Sequence, residues 1–126
     1  MKRWLLDTSA LLTLRDDEPG AERVAELLHP AQQGKAECLV CFMTGTELLC
    51  PRLAHEQCLA LPIQWVHESP ELLLRAAELK ASCPLSLVDA WIAASALEAN
   101  AILVHKDPEF DVVPVAQEPL PFKRPW

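Results

Sequence analysis

Apolar positions along this chain follow two rhythms: short unbroken runs alternate with longer stretches in which apolar residues recur at helical spacing. The first run, Trp4-Leu5-Leu6, stops at Asp7, and residues 3–7 read as a strand. A short helix follows from Ser9 to Arg15, closed by the turn Asp16-Asp17-Glu18-Pro19-Gly20. Ala21, Val24, Ala25, Leu27 and Leu28 then share one helical face, with Glu22, Arg23 and Glu26 on the other. His29-Pro30 predicts an end or a kink there, because the residue before proline avoids the helical region. Residues 37–42 are apolar almost throughout, as in a parallel strand covered on both faces. Thr44-Gly45-Thr46-Glu47 opens a helix running to Leu49, Pro51 breaks it, and a weakly patterned helical piece covers 52–59.

Residues 63–66 give a third strand. Ser69-Pro70 starts the next helix, with Leu72, Leu73, Ala76, Ala77 and Leu79 on its apolar face. Cys83-Pro84 stops it, and Ser86 caps a long helix from Leu87 to Asn100, where asparagine suits a left-handed end. Residues 102–104 form strand four, 112–115 a fifth strand, and 119–126 a proline-rich extended tail. Strands alternating with helices predict an α/β domain: a parallel sheet of four to five strands with helices on both faces.

Composition narrows the picture. The 126 residues suit one domain, and 51% hydrophobic content allows a real core. The net charge is -7, with 18 acids against 11 bases, which argues against a simple phosphate-clamping surface. It suits an enzyme whose cations neutralise clustered carboxylates, or a basic partner. Asp7 interrupts the only signal-like start and no apolar run is long enough for a bilayer, so the expectation is a cytoplasmic protein with no membrane partner. Cys38, Cys41, Cys50, Cys58 and Cys83 are odd in number and irregular in spacing, as expected of reduced, buried thiols. No histidine pair has metal spacing, although His105 lies close to Asp107 in the chain.

Four acids carry the candidate chemistry. Asp7 ends strand one and Asp107 follows strand four, so both belong at one edge of the sheet. Glu47 and Asp89 are expected in the first turns of helices delivered to that edge. Capping alone explains each acid singly, since Thr44-x-x-Glu47 and Ser86-x-x-Asp89 are capping boxes and Asp107 can form a turn. What points further is their common edge. Four carboxylates repel one another, a cation offsets that, and Mg²⁺ or Mn²⁺ prefers oxygen ligands.

With those residues in place, the chain resembles PIN domains, specifically VapC-type toxins of toxin–antitoxin pairs. Leu5-Leu6-Asp7-Thr8-Ser9-Ala10-Leu11 resembles the family's opening motif, and Thr46-Glu47-Leu48-Leu49 its second. Leu85-Ser86-Leu87-Val88-Asp89-Ala90-Trp91-Ile92-Ala93-Ala94-Ser95-Ala96 resembles the third, and Ile102-Leu103-Val104-His105-Lys106-Asp107-Pro108-Glu109-Phe110 the fourth. The resemblance implies a three-layer PIN-like domain over residues 1–118 and a metal-dependent endoribonuclease. Asp7, Glu47, Asp89 and Asp107 would be both the catalytic acids and the ligands of Mg²⁺ or Mn²⁺. Thr8, Ser9 and Asp111 would be accessory. The implied partners are an RNA substrate, a small antitoxin and a second copy of the chain. The interval between Glu47 and Ile63 is shorter than in most members.

Rival readings fit less well. An aspartyl-nucleophile phosphatase needs a second Asp two residues after Asp7, where Ser9 stands. A phospho-receiver needs an acidic pair after strand one, and Asp7 has no acidic neighbour. A PIN-like module that binds RNA or protein without cutting is the alternative to a nuclease. Arg75, Lys80 and Lys106 are the candidate phosphate contacts.

Overall fold

The computed structural model describes residues 1–48 and 60–122. Five strands run parallel: β1 (Lys2–Leu6), β2 (Ala36–Cys41), β3 (Ile63–Val66), β4 (Ile102–His105) and β5 (Gln117–Pro119). Their order is β3-β2-β1-β4-β5. The described helices are α1 (Thr8–Arg15), α2 (Ala21–Gln32), α3 (Phe42–Leu48), α4 (Pro70–Ser82) and α5 (Leu87–Glu98), with a 3-10 turn at Pro108–Val112. The chain steps outward from β1 to β3, then returns to lay β4 on the other side of β1. That reversal opens a crevice at the carboxyl ends of β1 and β4, the place where open α/β sheets hold ligands. The Asp7 N–H donates to Val104 O at 3.0 Å there, so the two strand ends are pinned together.

The strands' two-residue side-chain period divides the core. Leu5, Leu39, Cys41 and Leu103 face α4 and α5, packing with Leu72, Leu79, Ile92 and Phe110. Trp4, Leu6, Cys38, Val40 and Val104 face α1 and α2, packing with Leu11, Val24, Leu27 and Leu28. Both faces are therefore covered, giving the three-layer α/β architecture expected. α5 is buried along Ala90 and Ile92 to Ala96, as a helix apolar nearly all round must be. Cys38 and Cys41 fall on opposite sides of the sheet, so their C-x-x-C spacing builds no joint site. Burial pushes the Cys38 thiol up to about 11 and raises that of Cys41, which keeps both inert. Cys50, Cys58 and the helical piece expected at 52–59 lie outside the described residues.

Three local expectations are corrected. Of the end or kink expected at His29-Pro30, the end does not occur: α2 runs through Pro30 to Gln32. Pro30 sits near the end of the helix, and the Glu26 carbonyl whose bond it forfeits belongs to an exposed residue that water can serve. α3 starts at Phe42, directly off β2, rather than at Thr44. Thr44 is buried inside the helix, so it is no cap for Glu47. The fifth strand is Gln117–Pro119, not 112–115. Phe110 is drawn fully into the core and winds Val112 into the 3-10 turn, and pairing with β4 begins only where Leu103 N–H meets Ala116 O at 2.8 Å. Ordered chain continues beyond β5: Leu120 is buried and its N–H donates to His105 O at 2.7 Å. Among the described residues, no helix is long and apolar enough to cross a membrane.

Candidate metal centre

The crevice is built by the ends of four elements. β1 delivers Asp7, which is buried and caps α1 by accepting the Ser9 N–H at 3.3 Å. The Ser9 hydroxyl donates to the same Asp7 oxygen and accepts the Lys106 N–H at 3.0 Å. One serine thus ties the loop after β1 to the loop after β4. Burial raises the Asp7 carboxyl above its ordinary range, with the Ser9 bonds opposing that shift.

Ser86 caps α5 by accepting the Asp89 N–H at 3.1 Å, which fixes Asp89 in the first turn. Asp107 caps the 3-10 turn by accepting the Glu109 N–H at 2.9 Å. Carboxylate oxygens of Asp89, Asp107 and Glu109 all lie within 4.8 Å of one another. The Asp89 carboxyl is pushed up to about 7, first by burial and then by the negative charges of Asp7 and Asp107. Capping and clustering therefore coexist in the same residues: the cap is the mount.

Glu47 takes a different position from the first-turn placement expected. It lies in the second turn of α3, outside the Asp89–Asp107–Glu109 group, and its Oε1 is 2.6 Å from Thr8 Oγ1. Thr44 Oγ1 is 3.2 Å from the same Thr8 oxygen. A hydroxyl has one proton to give, and the shorter contact, to a carboxylate, takes it. Thr8 and Ser9 thus each hold one acid, Glu47 and Asp7 respectively. Asp111 is exposed and outside the group.

Glu109 is the acid that sequence reasoning missed. A signal for it existed: in Asp107-Pro108-Glu109 an Asp before Pro favours a tight turn whose cap folds back on the residue two places on. Among the candidate phosphate contacts, Arg75 is engaged by Glu98 at 2.9 Å, and Lys80 lines an apolar groove between α4 and α5. Among the described residues the Lys106 ammonium, shielded from solvent, has no hydrogen-bond partner, and burial lowers its pKa.

The sequence profile of the PIN domain family matches residues 4–116. The chain belongs to the PIN domain family. Solved structures with this fold include VapBC2 from Rickettsia felis bound to a DNA fragment from its promoter, at 16% identity and a TM-score of 0.75 over 94% of this chain and 99% of that one. VapBC-1 from nontypeable Haemophilus influenzae matches at 23% identity and 0.70, covering 93% and 97%. A toxin–antitoxin complex from Klebsiella pneumoniae matches at 21% and 0.70, covering 88% and 92%. No curated protein matches this chain by sequence. Among PIN domains, then, its acids sit at the carboxyl edge of β1 and β4, where the fold makes its crevice.

Proposed function

We propose that this chain is a cytoplasmic, metal-dependent endoribonuclease, the VapC-type toxin of a toxin–antitoxin pair. The observation that carries the proposal is the meeting of Asp89, Asp107 and Glu109 within 4.8 Å, under the charge of Asp7. The donor set fits a hard divalent cation: every candidate ligand is a carboxylate oxygen, and burial together with the negative charges of Asp7 and Asp107 pushes Asp89 up to about 7, a penalty that a cation would offset. Asp7, Asp89, Asp107 and Glu109 would hold Mg²⁺ or Mn²⁺, with Glu47, oriented by Thr8, completing the set from α3. Such an ion, when bound, supplies charge neutralisation at the phosphodiester and a more acidic water.

The chain's own groups do the rest. Ser9 holds Asp7 against β4, Ser86 holds Asp89, and Asp107 holds Glu109, so the negative charges are pre-arranged before substrate arrives. Lys106 is the basic residue we assign to an RNA phosphate: its shielded ammonium, unpaired among the described residues, gains a partner when a phosphate oxygen enters. An antitoxin partner is supported by the matched structures, which are of VapBC and toxin–antitoxin complexes. Pairing of two copies belongs to the same proposal.

The test is cleavage of single-stranded RNA by the purified chain with Mn²⁺. Wild type should cut, while Asp89→Asn and Asp7→Asn should keep their fold and lose nearly all activity. Equal rates for wild type and Asp89→Asn would refute the assignment. Metal uptake with no cleavage of any RNA would leave the silent binding module as the reading.

A further inference from the structure

The loop carrying Asp107 and Glu109 is held from behind by a buried imidazole. His105 ends β4 and is 1% exposed. Its Nε2 lies 2.8 Å from Gln117 Oε1, and its Nδ1 lies 3.0 Å from the Asp107 backbone nitrogen. The ring packs edge-on against Phe110, with centroids 4.9 Å apart. Gln117 settles the direction of these bonds. Its Nε2 donates to two carbonyls, Phe110 O at 2.6 Å and Val113 O at 3.2 Å, so its Oε1 is left to accept. The ring proton therefore sits on Nε2, and the lone pair of Nδ1 receives the Asp107 N–H. No other arrangement satisfies all four contacts.

We propose that His105, anchored by Gln117, is a positioning residue that sets the Asp107–Glu109 turn against Asp89; this rests on the metal-nuclease reading above. The bonds form one continuous chain. Gln117 fixes the ring, the ring fixes the Asp107 backbone, and the Asp107 side chain fixes the Glu109 N–H at 2.9 Å. β5 contributes no acid to the cluster, yet it orients the acidic turn through this relay. A rigid mount helps carboxylates that repel one another to stay together without a cation, and groups behind metal ligands commonly supply it. His105 is no proton-transfer residue here, because both ring nitrogens are spent inside the protein.

Two substitutions separate positioning from packing. His105→Leu fills much of the space against Phe110 but removes the acceptor. His105→Asn leaves a gap but keeps Oδ1 close to where Nδ1 lay. Mn²⁺ affinity, by calorimetry, and melting temperature without metal are measured for both. The Leu variant should bind Mn²⁺ about 10- to 100-fold more weakly than wild type. The Asn variant should regain most of that affinity while being the less stable of the two. Gln117→Met, which withdraws only the anchor, should also weaken binding. If the ring merely packs, affinity follows stability and the Leu variant binds like wild type, which overturns the proposal. Should the Leu variant not fold, wild-type affinity in Gln117→Met overturns it instead. A wild-type chain that takes up no Mn²⁺ sinks the metal-nuclease reading and this inference with it; uptake of equal strength in every variant sinks this inference alone.

Discussion

Two hydroxyls next to each other carry much of the geometry around the acids. Thr8 reaches across to Glu47 and Ser9 bridges Asp7 to the loop after β4. Thr8→Val keeps shape and burial but leaves Glu47 unheld, so RNA cleavage should fall while the melting temperature moves little; full activity in that variant would remove Thr8 from the account. Asp89 makes a pH prediction with a definite sign. Unfolded, its carboxyl titrates near about 3.9; folded, it titrates at about 7. Between those values the folded state holds a proton that the unfolded state has lost. Metal-free protein should therefore lose stability as pH rises through that window, and buried Asp7 pushes in the same direction. Asp89→Asn should flatten the decline and melt above wild type at pH 8 without metal. Parallel melting profiles for the two proteins would show that the carboxylates do not crowd. At this scale the placements of Asp7, Asp89 and Asp107 were legible because each ends a strand or opens a helix, although Asp7 stands outside the group that Asp89 and Asp107 form with Glu109. Glu109 was legible only in part: Asp107-Pro108 signals a turn capped back on Glu109, but no local pattern says that this turn lies beside Asp89.

Among the elements, caps and punctuation were the most readable features. Ser69 and Ser86 cap α4 and α5 as expected, each accepting an N–H at 3.1 Å, and Asn100 takes a left-handed conformation with φ 52°. Ser86→Ala should cost about 1 kcal/mol in denaturant unfolding and also weaken Mn²⁺ binding, because that cap mounts Asp89. Loss of stability with unchanged affinity would mean that Asp89 needs no cap. Gly20 has φ 103°, and a Cβ there would meet Pro121 Cδ at 3.2 Å and Leu120 Cβ at 3.3 Å. Gly20→Ala should accordingly destabilise by roughly 1 kcal/mol or more, since backbone and neighbour both resist the methyl; an unchanged unfolding midpoint would contradict the close packing of residues 120–121. Two of the misplaced boundaries share one cause. The start of α3 and the place of β5 are set by what they pack against, and local propensity yields to that: Thr44 faces Thr8, and Phe110 is fully buried.

For the whole molecule, the proposed metal would be linked to the fold. A cation that binds the folded cluster and not the unfolded chain stabilises by about 2.7 kcal/mol at a hundredfold excess over its dissociation constant. Mn²⁺ should raise the melting temperature of wild type, and Asp7→Asn should lose most of that rise; an equal rise in both would place the ion elsewhere. The amino-acid sequence alone determined the α/β class, the parallel sheet and the strand-end placement of Asp7 and Asp107, because those follow from hydrophobic period and chain direction, which are local. Only the tertiary structure decided which acids meet. The crossover from β3 back to β4, the pairing of Thr8 with Glu47, and the Gln117–His105–Asp107 relay all join residues distant in sequence, and no local pattern encodes a contact between partners that only folding brings together.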